Sequence, residues 1–202
     1  HKDAIYGLGI TADGKTLATG SYDQKIILWD TASGAPLRTL SGHNGAVVDV
    51  AFRPDGKVLA SASADRTVKL WDVATGNRLD TRSEPTKEQQ TLLFSPDGSK
   101  LYAAGADNRV RVWKISPTAI EGSNTLLFSQ FAAEGSILRL ALSKDGNVLA
   151  TTADDKTVKL WDAQKLELIR ALEPQSDWPA AVAFALDSKI LAVGRIDGTI
   201  GF

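Results

Sequence analysis

Few side chains in this sequence could do acid–base or nucleophilic chemistry. There are two histidines, His1 and His43, and no cysteine. Nucleophilic hydrolysis needs a base beside a serine or threonine. Both histidines stand at the same point of a repeated segment, so each has a structural role to fill instead. Asp154 and Asp155 are the tightest acidic pair, but Asp155 falls on a recurring turn position, which favours a solvated turn over a cation site. Gly7-Leu8-Gly9 has the glycine spacing that opens a dinucleotide loop, yet it lies in a strand-like stretch and no helix follows to receive a pyrophosphate. No Asn-x-Ser/Thr acceptor occurs, and aromatic residues are not interleaved with basic ones as stacking on nucleic acid requires. The residues therefore yield no catalytic group, no metal site and no cofactor.

Composition narrows the class further. The 202 residues are 43% hydrophobic and 23% charged, enough to bury a core. Lys plus Arg is 23 against 24 for Asp plus Glu, a formal net charge of -1. No segment concentrates basic residues, so neither nucleic acid nor an anionic membrane is an expected partner. No apolar run approaches the ~18 residues of a membrane span, and the opening residues lack the order of a signal peptide. The segment is expected to be soluble, without membrane insertion, its compartment open. Methionine is absent and the sequence opens at His1 inside a repeat, which reads as a fragment or processed piece.

The elements that must position any site come from an internal period. Asp23–Asp30 (DQKIILWD), Asp65–Asp72 (DRTVKLWD), Asp107–Lys114 (DNRVRVWK), Asp155–Asp162 (DKTVKLWD) and Asp197–Phe202 (DGTIGF) align without gaps, their leading aspartates stepping by 42, 42, 48 and 42 residues. The turn aspartates Asp13, Asp55, Asp97, Asp145 and Asp187 step by the same intervals. Between these landmarks, β-branched and aliphatic residues alternate over short runs such as Val47 to Phe52 and Val58 to Ser63, which reads as strands. Ser95-Pro96-Asp97-Gly98 suits a type I turn between strands a and b. Glycines in Asp30–Gly34 and Asp72–Gly76 close the hairpin from strand c to strand d. One repeat is thus a four-stranded meander, and because a lone meander cannot bury both faces, several must stack radially. The repeats run approximately over residues 1–42, 43–84, 85–132, 133–174 and 175–202 of a single incomplete propeller. The long step places extra residues at Ser116 to Asn124, a longer loop on the bottom rim.

These residues resemble the WD-repeat family, with its Gly-His, Pro-Asp-Gly turn, tight-turn Asp and terminal Trp-Asp, over essentially the whole chain. The resemblance implies an all-β fold: a WD-repeat β-propeller fragment of four complete four-stranded blades plus most of a fifth. Since family propellers close with about seven blades, within the usual propeller range, the open sheet edges of such a fragment favour aggregation. It also implies a buried hydrogen-bonded set in each blade, stabilising only when every member is satisfied. His1, Thr19, Asp23 and Trp29 complete the first set, and His43, Ser61, Asp65 and Trp71 the second. The third offers Pro85, Ala103, Asp107 and Trp113, the fourth Ala133, Thr151, Asp155 and Trp161, and the fifth Gln175, Val193 and Asp197. Lacking histidine, these blades are expected to rely more on packing.

In WD-repeat proteins the loop before strand a and the tight turn before strand c form a top face around the central channel. The family's contact positions fall here on Tyr6, Tyr22, Glu88, Gln90 and Trp178. Ala4, Ala46, Ala64, Ala106, Val48 and Ala180 add no recognition chemistry. A tyrosine pair attracts cations, and with no lysine or arginine at these inner positions the face suits an extended or basic peptide better than phosphate. Trp178 precedes Pro179, so it could instead staple its loop. The resemblance implies a non-enzymatic scaffold for a protein, a peptide or a neighbouring domain of the same polypeptide. A channel-site propeller enzyme and a purely structural spacer are the alternatives. A further resemblance, to bacterial WD-repeat modules of multidomain proteins, implies an extracytoplasmic location.

Overall fold

The computed structural model describes residues 1–202. The first blade comprises β1 (Ile5–Ile10), β2 (Thr16–Ser21), β3 (Lys25–Asp30) and β4 (Pro36–Ser41). The second has β5 (Val47–Phe52), β6 (Val58–Ser63), β7 (Val68–Asp72) and β8 (Arg78–Arg82). The third has β9 (Gln89–Phe94), β10 (Lys100–Gly105), β11 (Arg109–Lys114) and β12 (Thr125–Phe131). The fourth has β13 (Ile137–Leu142), β14 (Val148–Ala153), β15 (Val158–Asp162) and β16 (Leu168–Ala171). The fifth has β17 (Pro179–Phe184), β18 (Leu191–Arg195) and β19 (Ile200–Gly201). Each blade is an antiparallel meander in sequence order, four of them four-stranded and the last three-stranded. The expected all-β propeller architecture is what forms.

The first strands β1, β5, β9, β13 and β17 pack successively on one another. Strand b of each middle blade lies between neighbouring sheets, and β6 is buried at every residue. The core between blades one and two holds Ile26, Leu28, Leu40, Leu59 and Trp71. Leu92, Leu101 and Trp113 join Val68 and Leu70 in the next layer, and Tyr102, Val112, Ile137 and Trp161 in the one after. Apolar side chains stay exposed at the two ends of the array, Leu8 and Ile10 in the first blade and Ile196, Ile200 and Phe202 in the last.

Gly7-Leu8-Gly9 lies inside β1. A Cβ on Gly7 would stand 2.9 Å from the Cα of Asp49, and one on Gly9 2.9 Å from the carbonyl oxygen of Val50. These glycines permit the close approach of β1 to β5, which accounts for the pair without a nucleotide.

The residues between β11 and β12 are more than a longer loop. Asn124 Nδ2 donates to Asp80 Oδ2 at 2.7 Å and to the Ala119 carbonyl at 3.0 Å, while the Glu121 amide donates to the Leu79 carbonyl. Arg53 Nη1 donates to the carbonyls of Ser116 and Pro117. The insertion clasps the second blade from below, with Ala119 and Asn124 buried at the joint.

Candidate functional site on the top face

Two devices repeat from blade to blade and set the top face. The first is a tie between the loop before strand a and the turn between strands b and c. Its backbone part runs from Tyr22 to Ala4, Ala64 to Ala46, Ala106 to Glu88, Asp154 to Ser136 and Ile196 to Trp178, the first residue's amide donating to the second's carbonyl at 2.9–3.1 Å. The turn aspartate completes it. Asp23 accepts the Lys2 amide, Asp65 that of Asn44, Asp107 that of Thr86 and Asp155 that of Glu134, while Asp197 accepts the Ser176 hydroxyl.

The second device is a β-bulge at the start of strand a, between Ile5 and Gly7, Val47 and Asp49, Gln89 and Thr91, Ile137 and Arg139, and Pro179 and Ala181. A bulge leaves one residue unpaired and re-aims its side chain. Those residues are Tyr6, Val48, Gln90, Leu138 and Ala180.

Beneath this face the hydrogen-bonded sets differ between blades. In the second, Trp71 Nε1 donates to Ser61 Oγ at 2.8 Å, Ser61 Oγ lies 2.7 Å from His43 Nε2, and His43 Nδ1 lies 2.8 Å from Asp65 Oδ2. Donor counting assigns the protons: Asp65 accepts from Nδ1–H, leaving Nε2 to accept from the Ser61 hydroxyl. Burial lowers the His43 pKa, against the opposing pull of Asp65. The Asp65 carboxyl is held well below the usual carboxylate range, the hydrogen bonds of His43 and Thr67 outweighing burial. The first blade repeats this chain through Trp29, Thr19, His1 and Asp23, with contacts of 2.8, 2.7 and 2.9 Å.

The third blade has another solution. Arg111 of β11 reaches Asp107 at 2.6 Å, with both side chains buried, and so takes by charge, without an aligned hydrogen bond, the aspartate that a histidine holds in the second blade and Pro85 cannot. Ala103 leaves the buried Trp113 Nε1 without a partner. In the fourth blade Trp161 Nε1 donates to Thr151 Oγ1 at 3.0 Å, and Lys159 Nζ donates to the Ala132 carbonyl at 2.6 Å. In the fifth, Arg195 Nε donates to Gln175 Oε1 at 2.9 Å. The blades without histidine thus add cation and amide pairs of their own to their packing.

A hollow of about 320 Å³ opens on the top face, lined by Tyr6 and Tyr22 of the first blade, Ala46, Val48 and Ala64 of the second, Gln90 of the third and Arg139 of the fourth. The tyrosine ring centroids lie 6.4 Å apart at an interplanar angle of 57°, and the two residues are 55% and 57% exposed, which leaves both rings free to take a guest. Glu88 and Trp178 are exposed on their loops and do not line the hollow. Their carbonyls serve the backbone tie instead.

Arg139 corrects the expectation that no cation faces this site. Arg139 stands one residue after the bulge residue, at the position held by Gly7, Asp49 and Thr91 in the preceding blades, so offsets that land on the bulge residues pass over it. A basic guest would meet a like charge there, which removes the reason for preferring a basic peptide. Ala46, Val48 and Ala64 also have more to do than expected, forming the hollow's apolar wall.

Two other candidates are already occupied by the protein's own bonds. Gly9–Thr16 (GITADGKT) has the spacing of a phosphate-binding loop, a match that reading the sequence passed over. It forms the β1–β2 turn with no helix after it. There the Lys15 amide and the Thr11 hydroxyl donate to Asp13 Oδ1, and the Thr16 amide to Thr11 Oγ1, so these donors are taken up within the turn by an acid and a hydroxyl. Asp155 likewise accepts from Thr157 and from the Glu134 and Gly135 amides, which bind it into its turn. On the bottom face a larger hollow of about 560 Å³ is lined by Arg53, Asp55, Asp97 and Ser116 among others. There Arg53 pairs with Asp55 at 2.7 Å, while Lys57 and Lys114 stand on the same wall.

Residues 1–202 match the family described as IFT122 first beta-propeller. The General transcriptional corepressor TUP1 of Saccharomyces cerevisiae is 36% identical over 50 residues, 25% of this chain and 7% of the relative. The Dynein assembly factor with WD repeat domains 1 of Homo sapiens is 43% identical over 47 residues, 23% of this chain and 11% of the relative. The U3 snoRNP-associated protein-like YAOH of Oryza sativa subsp. japonica is 42% identical over 43 residues, 21% of this chain and 8% of the relative. The chain thus spans about a tenth of the length of these relatives. All are eukaryotic, so the resemblance to bacterial modules finds no support among them.

Proposed function

The chain belongs to the IFT122 first beta-propeller family of WD-repeat propellers, and on that premise we propose that it is a non-enzymatic interaction platform whose top face receives a protein, a peptide or a neighbouring domain. One observation carries the reading: four successive blades contribute side chains to a single hollow in which two tyrosines stand exposed. Tyrosine offers large contact area at small conformational cost and is enriched where interfaces draw their energy. Tyr6, Tyr22 and Gln90 form the contact centre, and Glu88 and Trp178 extend it outward along the rim. The first two hydrogen-bonded sets hold the loops beneath. WD-repeat relatives named for corepression and for dynein assembly agree with a role in assembling proteins.

The test is affinity capture with mass spectrometry, using the wild-type chain beside a Tyr6→Ala, Tyr22→Ala double variant of unchanged melting temperature. Loss of a partner from the variant alone is the expected outcome. Identical partners on both proteins, or none on either, would make the tyrosines part of the rim packing and reduce the propeller to a spacer.

A further inference from the structure

Arg139 is the only charged residue lining the hollow. It is exposed, its Nη1 donates to the Leu138 carbonyl at 2.9 Å, and no carboxylate lies within ion-pair distance of it, the nearby Asp49 carboxyl feeling its charge only at longer range while accepting the Leu92 amide. The equivalent positions in the preceding blades behave differently. Asp49 Oδ2 accepts the Leu92 amide at 2.8 Å and Thr91 Oγ1 accepts that of Leu140 at 3.4 Å, each side chain joining its blade to the next. Arginine has no acceptor and cannot make that joint. Its guanidinium is left with unfilled donors on the wall of a hollow that is otherwise aromatic and aliphatic.

Resting on the platform reading above, we infer that this hollow recognises an acidic peptide segment, a single Asp or Glu carboxylate next to an aliphatic or aromatic side chain. The carboxylate pairs with Arg139, whose planar fork matches two carboxylate oxygens. The adjacent apolar side chain lies against Tyr6, Tyr22 and Val48, and the Gln90 amide offers a hydrogen bond to the peptide backbone. Charge decides between anions: phosphopeptide sites gather several arginines around a dianion, whereas one guanidinium here balances one carboxylate. A lysine-bearing segment is disfavoured by like charge.

The experiment screens a display library of short random peptides against the folded wild-type chain, then measures affinities of resynthesised hits by fluorescence anisotropy. Asp or Glu beside Leu, Ile, Val or Phe should dominate the hits. Arg139→Gln in the protein, or Glu→Gln in the peptide, should weaken binding by about tenfold or more, and Arg139→Glu should bind the peptide in which Lys replaces the acid. Hits lost on Tyr6→Ala but without acidic preference, or unaffected by Arg139→Gln, would overturn this inference and leave the platform standing. So would tighter binding when phosphoserine replaces the acid. A library yielding no hit that depends on Tyr6 would overturn this inference, and the capture experiment above decides separately whether the platform reading falls with it.

Discussion

The second and third blades have the same strands, the same register and the same bulge before tryptophan, between Leu70 and Trp71 in one and between Val112 and Trp113 in the other. They differ in what lies beneath the top face. In the second, a histidine links serine to aspartate and every member of the chain has a partner. In the third, an arginine from strand c takes the aspartate directly and the tryptophan nitrogen is abandoned to the core. Yet the backbone tie above them is the same, Ala64 to Ala46 and Ala106 to Glu88, both at 2.9 Å. What the fold requires is an anchored turn aspartate; the anchoring residue is negotiable.

The tryptophans should respond alike. Trp71→Ala and Trp113→Ala each remove a fully packed ring and should cost ~3–5 kcal/mol in urea unfolding; a clear disparity between them would break the equivalence of the two cores. Charge should separate the blades. Arg111→Met leaves Asp107 buried without its cation and should cost about 3–5 kcal/mol, while Lys69→Met at the matching position of the second blade removes a long contact to Thr81 and a longer-range attraction to Asp65, offset by relief of a buried charge, and should cost less than about 1 kcal/mol. Ser61→Ala strands both Trp71 Nε1 and His43 Nε2, and should cost roughly 1–3 kcal/mol in the same assay.

Acid should also distinguish them. The folded pKa of His43 lies below the ordinary value of 6.5 because burial disfavours its charged form. The unfolded chain therefore takes up the proton first as pH falls, so this stabilisation is complete above about pH 6.5 and is lost progressively below it. Asp65, with its pKa lowered from 3.8, adds a second loss only below that value. Hydrogen exchange between neutral pH and pH ~5 should show β6 and β7 loosening before β10 and β11, whose blade has no histidine; uniform loosening would remove His43 as the cause. One substitution should give a gain, since Ala103→Ser offers Trp113 Nε1 an acceptor and should stabilise by ~0.5–1.5 kcal/mol.

Much of this could be read from residues that act locally. The aspartate turns announce themselves because serine, aspartate and glycine fix them within a few residues, as Ser95 and Ser99 do in bonding Asp97. The paired steps of the two aspartate landmarks make the meander unavoidable. Contacts that depend on reach were harder to see. The coincidence of Pro85 with Arg111 in one repeat was a signal that a new cation had replaced the histidine, but it becomes meaningful only when strand c brings Arg111 back over Asp107. Arg139 was hidden because its position is filled by Gly7, Asp49 and Thr91 in the preceding blades, none of which lines the hollow. The clasp of Asn124 on Asp80 joins residues 44 apart in sequence across two blades, beyond any local rule.

The most direct test of the top-face account is site-specific photo-cross-linking, with the reactive side chain placed at Tyr22 in one protein and at Lys57, on the bottom hollow, in another. The account predicts a discrete adduct from position 22 that excess unlabelled wild-type chain competes away and excess Tyr6→Ala chain does not. Adducts forming equally from position 57, or competed equally by both chains, would contradict it.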